Sequence, residues 1–203
     1  LKSPCAILSL LIILSITACG NEKPGTTLIA GKVVDGEYRI LKESFNKDKS
    51  INVLQIINFS CVHCYNAWQE LKEINKTRTS KFSIETIPIA FAKDRDDVVR
   101  IFYLAIAKNN EKLVIDEIFS AKFKEKLDFQ KTNDLKILAK KLGVLNEYIL
   151  ESSEHSVNLI MKREKDFAHS IGAESTPIWI VNQKISIKPS KENLNKILAD
   201  ISS

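Results

Sequence analysis

Glycine is scarce in this chain, with six in 203 residues, and no glycine-rich loop is present to cradle a phosphate. Cysteine is equally sparse, at Cys5, Cys19, Cys61 and Cys64. No apolar run reaches the roughly 20 residues that a helix needs to cross a bilayer. No charge block stands out either: 30 basic and 25 acidic residues mix along the length, for a net charge of +5. That balance describes a solvated surface and leaves no footprint for nucleic acid. No internal repeat or low-complexity tract is found. What remains is 44% hydrophobic content in 203 residues. This is enough for an ordinary core, arranged as one domain with a large insertion or as two small lobes.

Residues 1–18 read as an export signal. Lys2 is their only charge, residues 5–16 are almost wholly apolar, and Thr17 and Ala18 are small. Ile16-Thr17-Ala18-Cys19 resembles the bacterial lipobox, with Ile16 where that pattern prefers Leu. The resemblance implies that Cys19 carries lipid and becomes the N-terminus. Residues 20–27 (GNEKPGTT) are polar with Pro and Gly, a tether. Fully extended, this tether reaches roughly 25 Å, which would hold the body close to a membrane. Gly20 stands where an Asp would give the inner-membrane retention signal of Gram-negative lipoproteins.

With Cys5 and Cys19 in that leader, the folded body holds one pair, Cys61-Val62-His63-Cys64. No cysteine is spare for a structural disulfide, so the pair cycles, binds metal or sits idle. It stands at a change of pattern. Residues 51–59 (INVLQIINF) form a β-branched, apolar block of strand length. Residues 65–75 (YNAWQELKEIN) are rich in helix formers, with Trp68, Leu71 and Ile74 apolar. A thiol at a helix start meets unpaired backbone N–H groups and the positive end of the helix dipole. Both favour the thiolate, the reactive form.

Residues 28–34 and 38–41 are short strand-like pieces around the turn pair Asp35-Gly36. Residues 82–91 are a further strand, with Pro88 at its end or at an irregularity. Five helical patterns follow. Residues 96–108 place Val98, Val99, Phe102, Leu104, Ala105 and Ile106 on one broad face. Residues 111–123 are amphipathic through Leu113, Val114, Ile118 and Phe119. Residues 132–142 open on capping chemistry at Thr132-Asn133-Asp134 and close at Gly143. Residues 146–152 are a short turn of helix, and residues 154–171 a long helix ending at Gly172. Beyond these lie Ser175-Thr176-Pro177, a strand at 178–181, a turn at Asn182-Gln183, a returning strand at 184–188, and a last helix capped by Ser190. The expected fold is α/β. Without the helical stretch at about 94–171, the order is a β-α-β unit followed by a hairpin and a helix.

That order is thioredoxin-like, and the motifs resemble one family. Phe59-Ser60-Cys61-Val62-His63-Cys64-Tyr65 is similar to the active-site strand end and helix start of DsbA, the bacterial periplasmic dithiol oxidase. Ser175-Thr176-Pro177, with the strand and Val181-Asn182-Gln183-Lys184 after it, resembles that family's cis-proline loop and hairpin. Tyr38-Arg39-Ile40-Leu41 resembles its first strand. The resemblance covers about residues 28–201. It implies a thioredoxin-like domain of residues 28–93 and 172–203 with a helical domain, residues 94–171, inserted. No cofactor is implied. The implied partners are exported proteins with cysteines and a membrane redox partner of the DsbB type. The implied location is the bacterial periplasm or cell-envelope surface, held there by lipid at Cys19.

In a C-x-x-C at a helix start, the first cysteine lies at the exposed end and the second faces inward. Cys61 is therefore the attacking thiol and Cys64 its resolving partner. His63 can carry charge beside them. A donor or positive charge near Cys61 stabilises the thiolate and with it the reduced dithiol, which makes the disulfide a strong oxidant. The family implies a cis bond at Pro177 and a backbone at Thr176 that receives an extended substrate peptide. Two departures concern direction and proton transfer. Many DsbA proteins have Val where this chain has Thr176; Thr also occurs in isomerase and reductase relatives. DsbA has a buried acid where this chain has Gln55, so another group or water must accept the proton of the inner cysteine.

Other readings stay open. A reductase or isomerase would use the same chemistry in another direction, although no separate dimerisation domain precedes the core. A metal-binding lipoprotein would use Cys61, His63 and Cys64, although no second ligand pair is present for a four-ligand zinc site. An adhesin or scaffold would keep the disulfide as a vestige. His155 and His169 read as surface residues, Trp68, Trp179 and Phe91 as core. Asp94, Asp96 and Asp97 read as a helix start in preference to a metal-binding carboxylate cluster.

Overall fold

The computed structural model describes residues 38–40, 51–79, 81–150 and 154–202. The expected export signal, the lipidation site at Cys19, the tether and the strand-like piece at 28–34 lie outside the described residues. The chain runs through β1 (Tyr38–Ile40), β2 (Asn52–Ile57), α1 (Val62–Thr77) and β3 (Ser83–Pro88). Five helices follow: α2 (Asp97–Ile106), α3 (Glu111–Phe123), α4 (Thr132–Lys141), α5 (Leu145–Leu150) and α6 (Glu154–Ser170). The described chain closes with β4 (Ile178–Val181), β5 (Ile185–Ile187) and α7 (Lys191–Ser202). The strands form one sheet in the order β1-β5-β4-β2-β3, with β2 and β3 parallel and the other pairs antiparallel. The expected thioredoxin-like α/β fold with a helical insertion is borne out.

Strand β2 is central, and its residues are buried on both faces. A strand in that position reads as a near-continuous apolar run rather than an alternating one, here interrupted by the buried Asn52 and Gln55. Val53 packs with Ala67, Leu71 and Ile74 of α1 and with Leu194, Ile197 and Leu198 of α7. Leu54 and Ile56 point the other way, onto Phe167 and Ala168 of α6. Beyond the strand's end, Ile57 and Phe59 join Cys64 and Trp68 to the insert through Phe102, Ile118 and Phe119. The dithiol thus stands where the sheet core meets the helical core. Trp68 and Trp179 are fully buried, as expected.

Chain reversals follow their local chemistry. Asn182 and Gln183 both have positive φ, the conformation that turns one strand tightly into its neighbour. Ser190 Oγ accepts from the Asn193 N–H at 3.1 Å and caps α7. Gly143 and Gly172 take left-handed conformations just after α4 and α6, with Val144 N–H reaching Ala139 O and Ala173 N–H reaching Ala168 O, both at 2.9 Å. Pro88 is the last residue of β3, where its missing donor costs no ladder bond within the strand.

Three expectations are corrected. Asp134 does not cap α4: its carboxylate accepts from the Asp128 N–H at 2.7 Å, and the capping position, Lys131, makes no side-chain cap. The turn before the helix competes for the carboxylate and wins. Leu113 is 67% exposed, because it shares the polar row of Glu117 and Ser120 while the buried face of α3 runs through Val114, Ile115, Ile118 and Phe119. Phe91 is 39% exposed, in the turn that Asp94 N–H closes onto Phe91 O at 2.8 Å just after the chain leaves the sheet. Asp97 starts α2, as expected, and bonds the Tyr148 hydroxyl at 2.7 Å and Arg95 Nε at 2.8 Å. His155 and His169 are exposed.

Phe119 is fully buried and its ring contacts those of Phe59, Tyr65 and Phe123. Phe119→Ala is expected to destabilise the protein by about 3–5 kcal/mol through the lost transfer energy and the cavity left behind. Leu113→Ala on the same helix should stay within about 0.5 kcal/mol, since surface changes away from special features do. Chemical denaturation of both variants checks the pair.

Candidate active site

Helix α1 begins immediately after Cys61. Cys61 has extended backbone angles (φ −91°, ψ 118°), and its carbonyl accepts the first helical bond, from Tyr65 N–H at 3.1 Å. The first turn carries no acid to oppose a thiolate. Cys61 is half-buried and Cys64, one turn on, is completely buried. The two thiols are unbridged. They stand as expected, one toward solvent and one toward the core.

The opposite wall comes from far along the chain. The Thr176–Pro177 peptide bond is cis. The Cys61 thiol donates to the Thr176 carbonyl over 3.9 Å. The Thr176 side chain lies near enough to Cys64 to favour its thiolate, so one residue influences both sulfurs. Burial pushes the Cys64 thiol up to about 12, and the neighbouring Cys61 adds to this. The Asn58 N–H, donating to the sulfur at 3.3 Å, and the Thr176 side chain oppose it. His63 is exposed, and no hydrogen bond or ion pair joins its side chain to another described residue. The structure brings Cys61, Cys64, Thr176 and Pro177 together and leaves His63 on the rim.

Gln55 is completely buried on the sheet face that packs against α1. Its Nε2 donates to Thr86 Oγ1 at 3.0 Å, while its Oε1 has no partner. Thr86 also lies near Glu111, whose carboxyl is held above the usual range by burial and by Glu85 and Glu164. An acid at the start of α3 therefore stands on the far side of Thr86 from Gln55, which sequence reasoning missed. Across the sheet, Gln55 is in register with Trp179, whose Nε1 is likewise buried without a partner.

The sequence reading also missed Asn58, the residue just beyond β2. Its only signal was a polar residue between Ile57 and Phe59 in an apolar block. Around the site the insert supplies an aromatic wall: Tyr65 of α1 stacks on Phe123 of α3 with ring centroids 5.2 Å apart. Asp116 of α3 clamps α1 by accepting from Trp68 Nε1 at 2.7 Å and from Lys72. Next to it, a cleft of about 340 Å³ is lined by Tyr65, Gln69, Asp116 and Lys124, among others. No group of three or more His, Cys, Asp and Glu side chains is placed to hold a metal ion among the described residues.

An exposed-and-buried cysteine pair at a helix start, facing a cis-proline loop across a mixed sheet, defines the thioredoxin-fold class. The family model described as Thioredoxin matches residues 28–200, and the chain belongs to that family. Its fold is also that of solved DsbA structures. Reduced DsbA1 from Neisseria meningitidis superposes with a TM-score of 0.60 at 21% identity, covering 85% of this chain and 95% of that one. DsbA from Xylella fastidiosa gives 0.70 at 17% identity, with 84% and 96% covered. DsbA from Pseudomonas aeruginosa gives 0.62 at 19% identity, with 80% and 88% covered. A search of curated protein sequences finds no match. The thioredoxin-family expectation is borne out by the family model, and the DsbA-like fold by the solved structures.

The Cys64 shift has a pH consequence. Its folded pKa lies above the ordinary value of 9.0, so the folded dithiol holds a proton that the unfolded chain releases. The stabilisation is fully present below pH 9.0 and is lost as the pH rises toward about 12. Reduced wild type should therefore lose stability relative to reduced Cys64→Ala across that interval, as read by urea unfolding at stepped pH. A constant difference between the two would count against it.

Proposed function

We propose that this chain is an exported, membrane-tethered thiol:disulfide oxidoreductase of the DsbA type, which forms disulfides in exported proteins. The observation that carries the reading is the pairing of a half-exposed Cys61 at a helix start with a buried Cys64, both against Thr176. The printed names of the similar structures, all DsbA proteins, support it.

In the oxidised state a substrate thiolate attacks the Cys61 sulfur. The substrate–Cys61 bond forms, the Cys61–Cys64 bond breaks, and the electron pair passes to Cys64. A second substrate thiolate then attacks its own sulfur in the mixed disulfide and releases Cys61 as thiolate. The substrate loses two electrons and the enzyme dithiol gains them. Cys61 is the better leaving group of the two because it sits at the positive end of the α1 dipole, whereas burial disfavours charge on Cys64. His63, charged, would add to that effect. The Thr176 backbone beside Pro177 receives an extended peptide by strand addition, which tolerates many sequences.

In this reading residues 1–18 are a lipoprotein signal and 19–27 a tether. Residues 28–93 and 172–203 form the thioredoxin-like domain, and 94–171 the inserted helical domain. Lipid at Cys19 holds the body at a membrane of the cell envelope or periplasm, where a DsbB-type partner reoxidises the pair. A reductase or isomerase is the second reading, favoured by Thr176, whose side chain lies beside Cys64.

Equilibration with glutathione buffers decides direction: a strongly oxidising potential supports the oxidase, a thioredoxin-like potential the reductase. Cys61→Ser should abolish exchange under both, and exchange that survives would overturn the assignment. Gln55→Glu places a proton acceptor on the buried face beside Thr86. Exchange at Cys64 should become faster in stopped-flow assays; unchanged or slower kinetics would count against a missing acceptor there.

A further inference from the structure

We propose that Asn58 and Asp94 are a positioning pair that holds a backbone donor on the Cys64 sulfur, so that Cys64 departs as a stabilised thiolate when a substrate thiol attacks Cys61. The inference rests on the reading that the dithiol cycles, and it names how the buried half of the pair is served.

Asn58 lies where β2 has ended. The last rung to β3 is the Ile89 N–H to Ile57 O bond, at 2.8 Å. The Asn58 side chain supplies the next one, with Nδ2 donating to Ile89 O at 3.0 Å. The same Nδ2 donates to Asp94 Oδ2 at 2.7 Å, and Asn58 Oδ1 accepts from Ser60 N–H at 2.7 Å. The Asn58 carbonyl accepts from Cys61 N–H at 3.1 Å. Every polar group of this buried residue is engaged, and its remaining donor, the backbone N–H, points at Cys64 Sγ at 3.3 Å. Asp94 is itself fixed, accepting from Phe91 N–H at 3.2 Å through the same oxygen. Side-chain anchoring here does what a strand ladder does elsewhere: it fixes the direction of one peptide N–H.

The chemistry needs such a donor. When the substrate–Cys61 bond forms and the Cys61–Cys64 bond breaks, the electron pair lands on a sulfur with no solvent exposure. An unpaired charge in that position is costly, and a preorganised N–H aimed at it lowers the barrier without reorganisation. The Thr176 side chain is the second group that stabilises the charge. Cys64 is left as a thiolate, and thiolate-for-thiolate exchange balances without a proton. In the reverse step the same N–H steadies the attacking Cys64 thiolate.

The test is the first step alone. The disulfide form of the full chain is mixed with reduced glutathione, quenched in acid and followed by mass spectrometry. Asp94→Ala and Asn58→Ala should each slow ring opening by about five- to tenfold, the share of a charge-assisted hydrogen bond that loosened geometry forfeits. Asp94→Asn keeps an acceptor oxygen for Asn58 and should restore the rate to within about twofold of wild type. Alkylation of Cys61 in the reduced proteins, at the other end of the site, should be unchanged in both Asp94 variants. Circular dichroism identifies a variant that has not folded, and either alanine variant suffices with Asp94→Asn beside it. Wild-type rates in the alanine variants, or an Asp94→Asn rate as low as that of Asp94→Ala, overturn the positioning role. A wild-type disulfide that glutathione never opens overturns the cycling reading first, and this inference with it.

Discussion

A sulfur with no access to water, one helical turn from a sulfur at the surface, is the constraint around which this molecule is arranged. Helix α1 sets the spacing: Cys61 is at its cap and Cys64 one turn in. Burial alone would keep Cys64 a protonated, inert thiol. The surroundings answer with the Asn58 N–H, donating from the end of β2, and with the nearby Thr176 side chain, from the loop before β4. Each lies beyond the end of a strand, and β2 and β4 are neighbours in the sheet, which is why the two reach one atom. The sheet thus serves the site less through its faces than through the point where its central strands stop.

The insert is part of the same arrangement. Phe102, Ile118 and Phe119 share a cluster with Phe59, Cys64 and Trp68, so the wall behind the inner sulfur is half sheet core and half helical core. Asp116 bridges α1 to α3, and Asp94, in the loop leading to α2, is bonded to Asn58. Gln55 belongs to this pattern through Thr86 and Glu111. A buried amide cannot take up a proton, but beyond Thr86 stands an acid whose own burial favours the neutral form. The chain thus keeps an ionisable group on this face, at one remove from Gln55.

Much of this was legible in the residues. The change from INVLQIINF to YNAWQELKEIN located the strand–helix boundary, because a fully buried strand and an amphipathic helix differ in period as well as composition. The bounds of α3 and β4 could be read outright, since the amphipathic pattern of residues 111–123 and the punctuation at Thr176-Pro177 mark them. Pairing at a distance was not legible. Asn58 looked like an interruption, and its meaning depends on Ile89 and Asp94, some 31 and 36 residues away. Asp134 looked like a cap because propensity is local, whereas its carboxylate is taken by Asp128. Leu113 and Phe91 were misread because hydrophobicity does not say which row of a helix, or which side of a turn, meets the core.

The two walls of the site are 115 residues apart in sequence, Cys61 on one and Thr176 on the other. Strand β2 can pair with β3 as soon as a short helix has formed between them, but its other edge waits for β4, beyond the whole insert. Closing so long a loop is entropically costly, and contacts of this kind form late. A chain emerging from its N-terminus therefore presents both cysteines well before the residue that lies over them. In that interval Cys64 has the cover of the sheet and insert cores, but the pair lacks the Thr176 loop that faces it. The second wall of the site is thus acquired only when β4 docks beside β2.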